Sequence, residues 1–131
     1  MRILLIDDES VALTKLGLML SGTGACDKAT SGIKATELFV QAIGENQPYD
    51  LVTIDIELPD ITGLDLLNRF CALEHKNGIR PAKKIMVTAH SKVDYVVKAR
   101  SQCDAFLAKP LRKAILLEKI NELCPPAGGD A

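Results

Sequence analysis

The sequence of 131 residues contains no tryptophan, only 4% aromatic residues and no surplus of charge of either sign. Its 16 basic and 17 acidic residues give a formal net charge of −1, so no basic excess is available to neutralise nucleic-acid phosphates. The scarcity of aromatic rings also leaves little that could stack on bases. We therefore expect no direct contact with nucleic acid.

Long hydrophobic runs are absent as well. Apolar runs of four or five residues are too short to cross a bilayer, and the run after Met1 meets acidic residues too soon for a signal peptide. The four cysteines (Cys26, Cys71, Cys103 and Cys124) form no C-x-x-C pair and lack the spacing of a zinc site. These features predict a cytoplasmic protein without membrane contact, in which the cysteines are small buried or half-buried apolar residues.

Short apolar segments alternate five times with segments of helical periodicity, which predicts one α/β domain. The predicted strands lie at residues 2–6, 25–30, 50–54, 85–87 and 105–107. The second strand is half polar, which suits an edge position. Because strand and helix alternate, the pattern indicates a (βα)5 fold, a doubly wound parallel sheet with helices on both faces.

Two predicted helices, one predicted loop and a C-terminal tail complete this pattern. Val93, Val96 and Val97 predict a fourth helix, and a fifth follows Pro110. The polar stretch 74–84 contains Asn-Gly and Pro and is typical of a surface loop. We expect one domain over residues 1–124, and a flexible tail or linker stub over the Pro- and Gly-rich residues 125–131.

Chemically active side chains follow four of the five predicted strands. Asp7 and Asp8 follow the first strand, Asp55 the third, Thr88 the fourth and Lys109 the fifth. Parallel strands all end at one edge of the sheet, where ligands bind, so these groups are expected to lie together. Clustered carboxylates need a cation, and oxygen ligands of this kind suit Mg²⁺. A metal, an ammonium and a hydroxyl beside a carboxylate nucleophile form a receptacle for a phosphoryl group.

Each of these residues also has a simpler interpretation. Asp7 and Glu9 fit the acidic start of a helix, Thr88 fits a strand-end cap, and Lys109 fits a surface charge. The simpler interpretations would require four coincidences on one edge of the sheet. No serine or cysteine nucleophile is paired with a histidine near a strand end, and His75 fits a solvated surface residue.

The sequence resembles a response regulator receiver domain over about residues 2–124. The resemblance rests on five motifs in order: ILLIDDE at 3–9, ATSG at 29–32, DIELPDITG at 55–63, MVTA at 86–89 and AFLAKP at 105–110. It implies a flavodoxin-like strand order 2-1-3-4-5. It also implies that Asp55 accepts a phosphoryl group from a phosphohistidine, with Asp7, Asp8 and the backbone carbonyl of Glu57 as Mg²⁺ ligands.

The resemblance assigns further roles to residues around the acceptor. Thr88 would bond the phosphoryl group after a switch, Lys109 would pair with Asp55, and Phe106 matches an aromatic switch position. Glu57 and His90 occupy two positions that shape the phosphoryl lifetime in this family. For Glu57 and His90, an equal interpretation is that both are solvent-facing loop residues. For Phe106, the lesser alternative is a plain core residue.

The resemblance implies a signalling switch that catalyses only its own phosphotransfer and dephosphorylation. Its expected partners are a sensor histidine kinase or histidine phosphotransfer protein, and a downstream protein or second copy. We expect that second contact at the face around Val93, Tyr95, Lys98 and Phe106. Two alternatives are an aspartyl phosphatase, which would carry a second Asp where this chain has Glu57, and a flavin or nucleotide binder, which would carry a Gly-rich or Ser/Thr-rich phosphate loop after the first strand.

Overall fold

A five-stranded parallel sheet forms the centre of the molecule. The structure, a computed structural model, describes residues 1–89 and 103–125. The strands are β1 (Arg2–Ile6), β2 (Ala25–Ala29), β3 (Leu51–Asp55), β4 (Lys83–Thr88) and β5 (Ala105–Ala108). Their order is β2-β1-β3-β4-β5 with every pairing parallel, which confirms the predicted fold class, the strand order and the edge position of β2.

Four helices are found in the described part of the chain. They are α1 (Ser10–Met19), α2 (Gly32–Gly44), α3 (Gly63–Asn77) and α4 (Lys113–Leu123). Two begin at side-chain caps: the Ser31 hydroxyl accepts the N–H of Lys34, and the Thr62 hydroxyl accepts the N–H of Asp65, both at 3.1 Å. The helix predicted around residues 93–97 lies outside the described residues. None of the described helices has the length and apolar character needed to span a membrane.

The alternation of side chains along each strand divides the core into two layers. Leu4 and Ile6 of β1 belong to the apolar cluster that includes residues of α2 and α3. Ile3 and Leu5 belong to the opposite cluster, which includes residues of α1 and α4. Because both faces of the inner strands are covered, these strands are continuous apolar runs, and this is why the sequence reveals them clearly.

Three aromatic rings stack in the core layer formed with α2 and α3: Phe39 of α2, Phe70 of α3, and Tyr49, which precedes β3. The Phe39 and Phe70 rings lie 4.1 Å apart between centroids and are nearly parallel, and the Tyr49 ring lies 6.3 Å from Phe39. The Tyr49 hydroxyl donates a 2.6 Å hydrogen bond to Asp27, and the Arg2 guanidinium lies over the Tyr49 ring. Tyr49 precedes β3, so this stack ends at the amino edge of the sheet, opposite to the edge where Asp55 lies.

The prediction that residues 74–84 form a surface loop is wrong. Helix α3 continues to Asn77 with His75 exposed in its last turn, and β4 begins at Lys83. Glu74 and Lys84 are both buried and form a 2.6 Å ion pair with each other. Only the short connection between α3 and β4 is a loop. A pairing between charges ten residues apart is a tertiary contact, so it leaves no local pattern in the sequence.

The four cysteines are free and half-buried, as predicted. Burial raises the pKa of each thiol above its ordinary value, and that of Cys103 to about 11. A thiol with a raised pKa carries little thiolate at neutral pH and is a poor nucleophile. The cysteines therefore act as apolar packing residues.

Candidate functional site

The side chains predicted at the strand ends meet at the carboxyl edge of the sheet. Asp7 follows β1, Asp55 ends β3, Thr88 ends β4 and Lys109 follows β5. β1 and β3 are neighbours, although β2 lies between them in sequence, so the chain crosses from one half of the sheet to the other at this point. This is the place where a doubly wound sheet opens a crevice for ligands.

One ammonium group joins the two buried carboxylates. Lys109 Nζ lies 2.9 Å from Asp55 Oδ2 and 3.1 Å from Asp7 Oδ2. The other oxygen of each carboxylate accepts a backbone N–H two residues further along: Asp7 Oδ1 from Glu9 at 2.9 Å and Asp55 Oδ1 from Glu57 at 3.0 Å. Both side chains are therefore fixed at two points, and their oxygens face the same space above the sheet.

Burial and hydrogen bonding act in opposite directions on the pKa of Asp55, and likewise on the pKa of Lys109. Burial raises the pKa of Asp55, and the neighbouring Asp7 adds to this, while hydrogen bonds from Lys109 and Glu57 act in the opposite direction without cancelling it. Partial burial favours the neutral form of Lys109, but the bonds to Asp55 and Asp7 outweigh it and raise the pKa of Lys109. Lys109 is thus held as a cation, and Asp55 is a more basic carboxylate than an exposed aspartate.

A third carboxylate completes a group of three acidic side chains, which we call the acidic cluster (Asp7, Asp8 and Asp55). Asp7, Asp8 and Asp55 each offer an oxygen within 4.8 Å of the others, and Asp8 is exposed while the other two are buried. Hard divalent cations such as Mg²⁺ take carboxylate and carbonyl oxygens together with several waters. Two buried carboxylates that share one ammonium leave negative charge uncompensated. The donor set and its charge therefore fit Mg²⁺.

Thr88 and Phe106 lie beside this cluster on the last two strands. The Thr88 side chain is buried, and its hydroxyl donates a 3.0 Å hydrogen bond to the carbonyl of Ala89. The backbone N–H of Lys109 donates to the Thr88 carbonyl at 2.8 Å, which joins the ends of β4 and β5. Phe106 is half-buried and packs against the cluster beneath α2 and α3.

The residues between Asp55 and α3 form a closed turn, which we call the arch (residues 56–62). Glu57 pairs with Thr62 in an antiparallel bridge, and the N–H of Gly63 donates to the Ile56 carbonyl at 2.8 Å. A Cβ at Gly63 would lie 2.6 Å from the Ile56 Cα and 2.7 Å from the Asp55 carbonyl oxygen, so only glycine fits there. The side chain of Glu57 is exposed, at the rim of the acidic cluster.

Asp60, Thr62 and Gly63 belong to the motif at 55–63, but the sequence predicts no separate role for them. In the structure Asp60 binds the first N–H groups of α2, Thr62 caps α3, and Gly63 allows α3 to approach Asp55. The spacing of Thr62 and Asp65 is a recognisable capping signal. Asp60 has no comparable local signal, because its partners lie 28 and 27 residues away.

Several predicted residues lie outside the part of the chain that the structure describes. His90, predicted to shape the phosphoryl lifetime, lies outside the described residues. So do Val93, Tyr95 and Lys98 of the predicted partner face, of which only Phe106 lies in the described part of the chain.

Two surface grooves lie near the ends of the sheet. One of about 600 Å³ opens beside Lys109 and Pro110 and runs along Val11, Lys15 and Met19 of α1. The other, of about 570 Å³, lies between α3 and β4 at the opposite edge of the sheet and is lined by Arg80 and Lys83. The first is continuous with the acidic cluster because Asp7 and Lys109 belong to its wall.

Comparison with known proteins gives one consistent result. The family model of the response regulator receiver domain matches residues 3–121. The chemotaxis protein CheY of Pseudomonas aeruginosa is 28% identical, with 98% of this chain and all of that protein covered. The cell cycle transcriptional regulator CtrA of Caulobacter vibrioides is 27% identical over the whole of this chain, but the chain spans only 53% of CtrA.

Solved structures agree with the sequence comparisons. A receiver domain protein from Clostridium thermocellum has a TM-score of 0.80 and 26% identity, with 93% of this chain and 92% of that chain covered. A CheY-like receiver domain protein from Methanospirillum hungatei has a TM-score of 0.73 and 32% identity, with 92% and 90% covered. A probable histidine kinase 2 of Oryza sativa is 30% identical over 95% of this chain, which spans 13% of that protein.

Proposed function

The chain belongs to the family of response regulator receiver domains, and from that premise we propose that it is a phosphorylation-dependent signalling switch with Asp55 as the phosphoacceptor. The observation that supports this most strongly is the Lys109 ammonium held between Asp55 and Asp7 at the carboxyl edge of the sheet. A nucleophilic carboxylate beside a fixed cation and further acidic ligands is the arrangement that phosphoryl transfer requires.

The proposed reaction transfers one phosphoryl group from a phosphohistidine to Asp55. A carboxylate oxygen of Asp55 forms the new O–P bond, and the P–N bond to the donor imidazole breaks, with its electron pair leaving on nitrogen. Lys109, already 2.9 Å from Asp55, offers an N–H to the negative phosphoryl oxygens without rearrangement of the backbone.

The residues proposed to hold Mg²⁺ are Asp7, Asp8, Asp55 and the backbone carbonyl of Glu57. The ion would neutralise charge on the phosphoryl oxygens. The arch presents the backbone of Glu57 beside the cluster, where its N–H already binds Asp55 Oδ1. Glu57 and His90 are proposed to influence how fast water removes the phosphoryl group.

Thr88 and Phe106 are proposed to carry the signal away from Asp55. The Thr88 hydroxyl now bonds the adjacent Ala89 carbonyl, and it would exchange that acceptor for a phosphoryl oxygen. A hydroxyl can make this exchange by rotation, because it donates a single hydrogen. The altered position of the Thr88–Ala89 segment would then favour a second conformation of the neighbouring surface.

The acceptor assignment is tested with a small phosphodonor. Incubation with Mg²⁺ and acetyl phosphate, followed by intact-mass measurement, is expected to add the mass of one phosphoryl group to the wild-type protein. Asp55→Asn should show no adduct. Asp65→Asn, which alters an exposed aspartate on α3, is the matched control and should behave as wild type. An adduct that persists on Asp55→Asn contradicts the assignment.

Incubation with an unrelated phosphoester separates a switch from a phosphatase. A switch consumes acetyl phosphate only as fast as its own acyl phosphate hydrolyses, and it does not turn over unrelated phosphoesters. We therefore propose that the protein is not an enzyme acting on an external substrate. Steady hydrolysis of a phosphoester such as p-nitrophenyl phosphate that is lost in Asp55→Asn would show the opposite.

The proposed partners are a histidine kinase or histidine phosphotransfer protein as donor, and a protein target or second copy as receiver of the signal. We keep the face around Val93, Tyr95, Lys98 and Phe106 as the predicted output contact. Tyr95→Ala or Lys98→Ala should weaken binding of that partner to the phosphorylated protein without changing the rate of phosphorylation by acetyl phosphate. Unchanged affinity in both variants removes this assignment.

A further inference from the structure

The arch is fastened to the start of α2 by the side chain of Asp60. Asp60 Oδ1 accepts the N–H of Gly32 and Oδ2 accepts the N–H of Ile33, each at 2.8 Å. The first N–H groups of a helix have no partner within the helix, and the helix dipole favours a negative charge beside them. One carboxylate oxygen for each N–H makes this a two-point attachment between segments that are far apart in sequence.

Steric contact reinforces the attachment. A Cβ at Gly32 would lie 2.0 Å from the Ile61 Cγ2 atom, so the arch presses directly on the first turn of α2 and glycine is required there. The N–H groups of Gly32 and Ile33 hold the pKa of Asp60 below its ordinary value, so Asp60 stays ionised wherever the protein is folded at neutral pH. The carboxylate form that accepts both N–H groups therefore prevails under the conditions in which the acidic cluster works.

The same arch carries the backbone groups that face the acidic cluster. The Glu57 N–H fixes Asp55 Oδ1 at 3.0 Å, and Glu57 is paired with Thr62 across the arch. Asp60 lies between Glu57 and Thr62 in sequence, so a displacement of Asp60 is transmitted to both sides of the arch. The other end is closed by Gly63, which lies against Ile56 and Asp55.

We propose that Asp60 is a positioning residue for the acidic cluster: by binding Gly32 and Ile33 it uses α2 to fix the arch, and the arch fixes the backbone of Glu57. This role rests on the proposed function, in which the Glu57 carbonyl is a metal ligand. Asp60 does not touch the metal or the phosphoryl group, so it acts only through the arch. Loss of Asp60 should therefore weaken Mg²⁺ binding beyond any effect on the stability of α2.

Ser31 provides a matched control for the capping of α2. Its hydroxyl accepts the N–H of Lys34 at the same helix end and bonds within the helix rather than to the arch. Ser31→Ala removes a cap from α2 and leaves the Asp60 attachment in place, whereas Asp60→Ala removes the attachment. Asp60→Asn keeps one acceptor oxygen and should give an intermediate effect.

The test measures Mg²⁺ affinity by titration calorimetry and the exchange rates of the Glu57 and Gly63 amides in metal-free protein. Removal of groups that support metal ligands weakens metal affinity by about tenfold or more, so Asp60→Ala should raise the Mg²⁺ Kd about tenfold, and Ser31→Ala less than about twofold. Asp60→Ala should also accelerate exchange of both amides. Thermal unfolding of each variant shows that the folded protein is being titrated.

Two results overturn the proposal, and they differ in meaning. If wild type binds Mg²⁺ and Asp60→Ala matches Ser31→Ala in Kd and amide exchange, Asp60 is only a helix cap, and the proposed function is untouched. If wild type binds no Mg²⁺, or Asp55→Asn binds it as tightly as wild type does, the metal site itself is wrong and the role of Asp60 falls with it.

Discussion

The ion pair between Glu74 and Lys84 offers a test of how the buried charges of this fold are balanced. Glu74 Oε1 accepts from Lys84 Nζ at 2.6 Å, and Glu74 Oε2 accepts the N–H of Ala82 at 2.7 Å. Lys84 Nζ also donates to the Ala82 carbonyl at 2.9 Å. Both side chains are at most 4% exposed, so solvent in the neighbouring groove is a poor replacement for a missing partner. The perturbation is Glu74→Gln, which keeps the shape and removes the charge.

The expected cost follows from the burial of Lys84. Breaking a buried pair by removing one partner costs about 3–5 kcal/mol, because the remaining charge is left uncompensated. Lys84 keeps its bond to the Ala82 carbonyl, which places the expected cost at about 3 kcal/mol, the lower end of that range. A domain of this size has about 5–15 kcal/mol of stability, so this is a large fraction of the total.

A second substitution should restore most of this loss. In Glu74→Gln with Lys84→Met no charge remains buried at this contact. The glutamine oxygen can still accept the Ala82 N–H, and methionine fills the volume of the lysine stem. Replacing a buried pair by groups of similar shape is often close to neutral, so the double variant should unfold within about 1–2 kcal/mol of wild type. The coupling energy between the two sites should therefore exceed about 2 kcal/mol.

Urea unfolding followed by far-ultraviolet circular dichroism measures these differences without a tryptophan. The Glu74→Gln midpoint should fall, and the melting temperature should drop by about 10 °C. A cost of less than about 1 kcal/mol for Glu74→Gln, or a double variant that loses as much as the two single variants together, would show that Lys84 is not left as an uncompensated buried charge.

Three further predictions concern the inside of the sheet and the acidic cluster. Thr53→Val should stabilise the protein by about 1 kcal/mol in urea unfolding, because the buried Thr53 hydroxyl has no hydrogen-bond partner among the described residues, and an unchanged midpoint would show that it has one. Asp55→Asn should stabilise metal-free protein at neutral pH. The raised pKa of Asp55 gives wild type a contribution to stability that is full below the ordinary pKa of 3.8 and is lost as the pH rises through the raised value. The gain of the variant over wild type should therefore grow across that pH window, and a gain that shrinks in thermal melts at several pH values contradicts this. Gly63→Ala should cost about 3 kcal/mol and abolish phosphorylation by acetyl phosphate, since its Cβ would collide with backbone atoms of Ile56, and a normally phosphorylated variant would show that the arch can move.

The sequence predicted the acidic cluster well because the cluster depends on regular structure. Strands buried on both faces are apolar runs that can be recognised locally, and parallel strands bring the residues that follow them to one edge. Asp7, Asp55 and Lys109 could therefore be placed together without knowledge of any tertiary contact. In the structure, Asp7 Oδ2 and Asp55 Oδ2 lie 3.1 Å and 2.9 Å from Lys109 Nζ.

The features that were missed depend on contacts between distant segments. Glu74 and Lys84 are charged residues in a polar stretch of sequence, and only their mutual contact allows both to be buried. For this reason the end of α3 and the start of β4 were wrongly predicted to be a loop. Asp60 belongs to a loop motif, and its bonds to α2 cannot be read from its neighbours. Glu74 and Lys84 are residue types compatible with exposure, and only their tertiary contact accounts for their burial.

The aromatic stack provides a near-ultraviolet probe at the amino edge of the sheet. Tyr49 is the sole tyrosine in the described ranges 1–89 and 103–125, and it lies against Phe39 at the amino edge of the sheet, with its hydroxyl bonded to Asp27. A phenol held in this way contributes near-ultraviolet dichroism because its surroundings are asymmetric and fixed. The Tyr49 contribution to that signal therefore follows the packing of α2 against the sheet, at the edge opposite to Asp55.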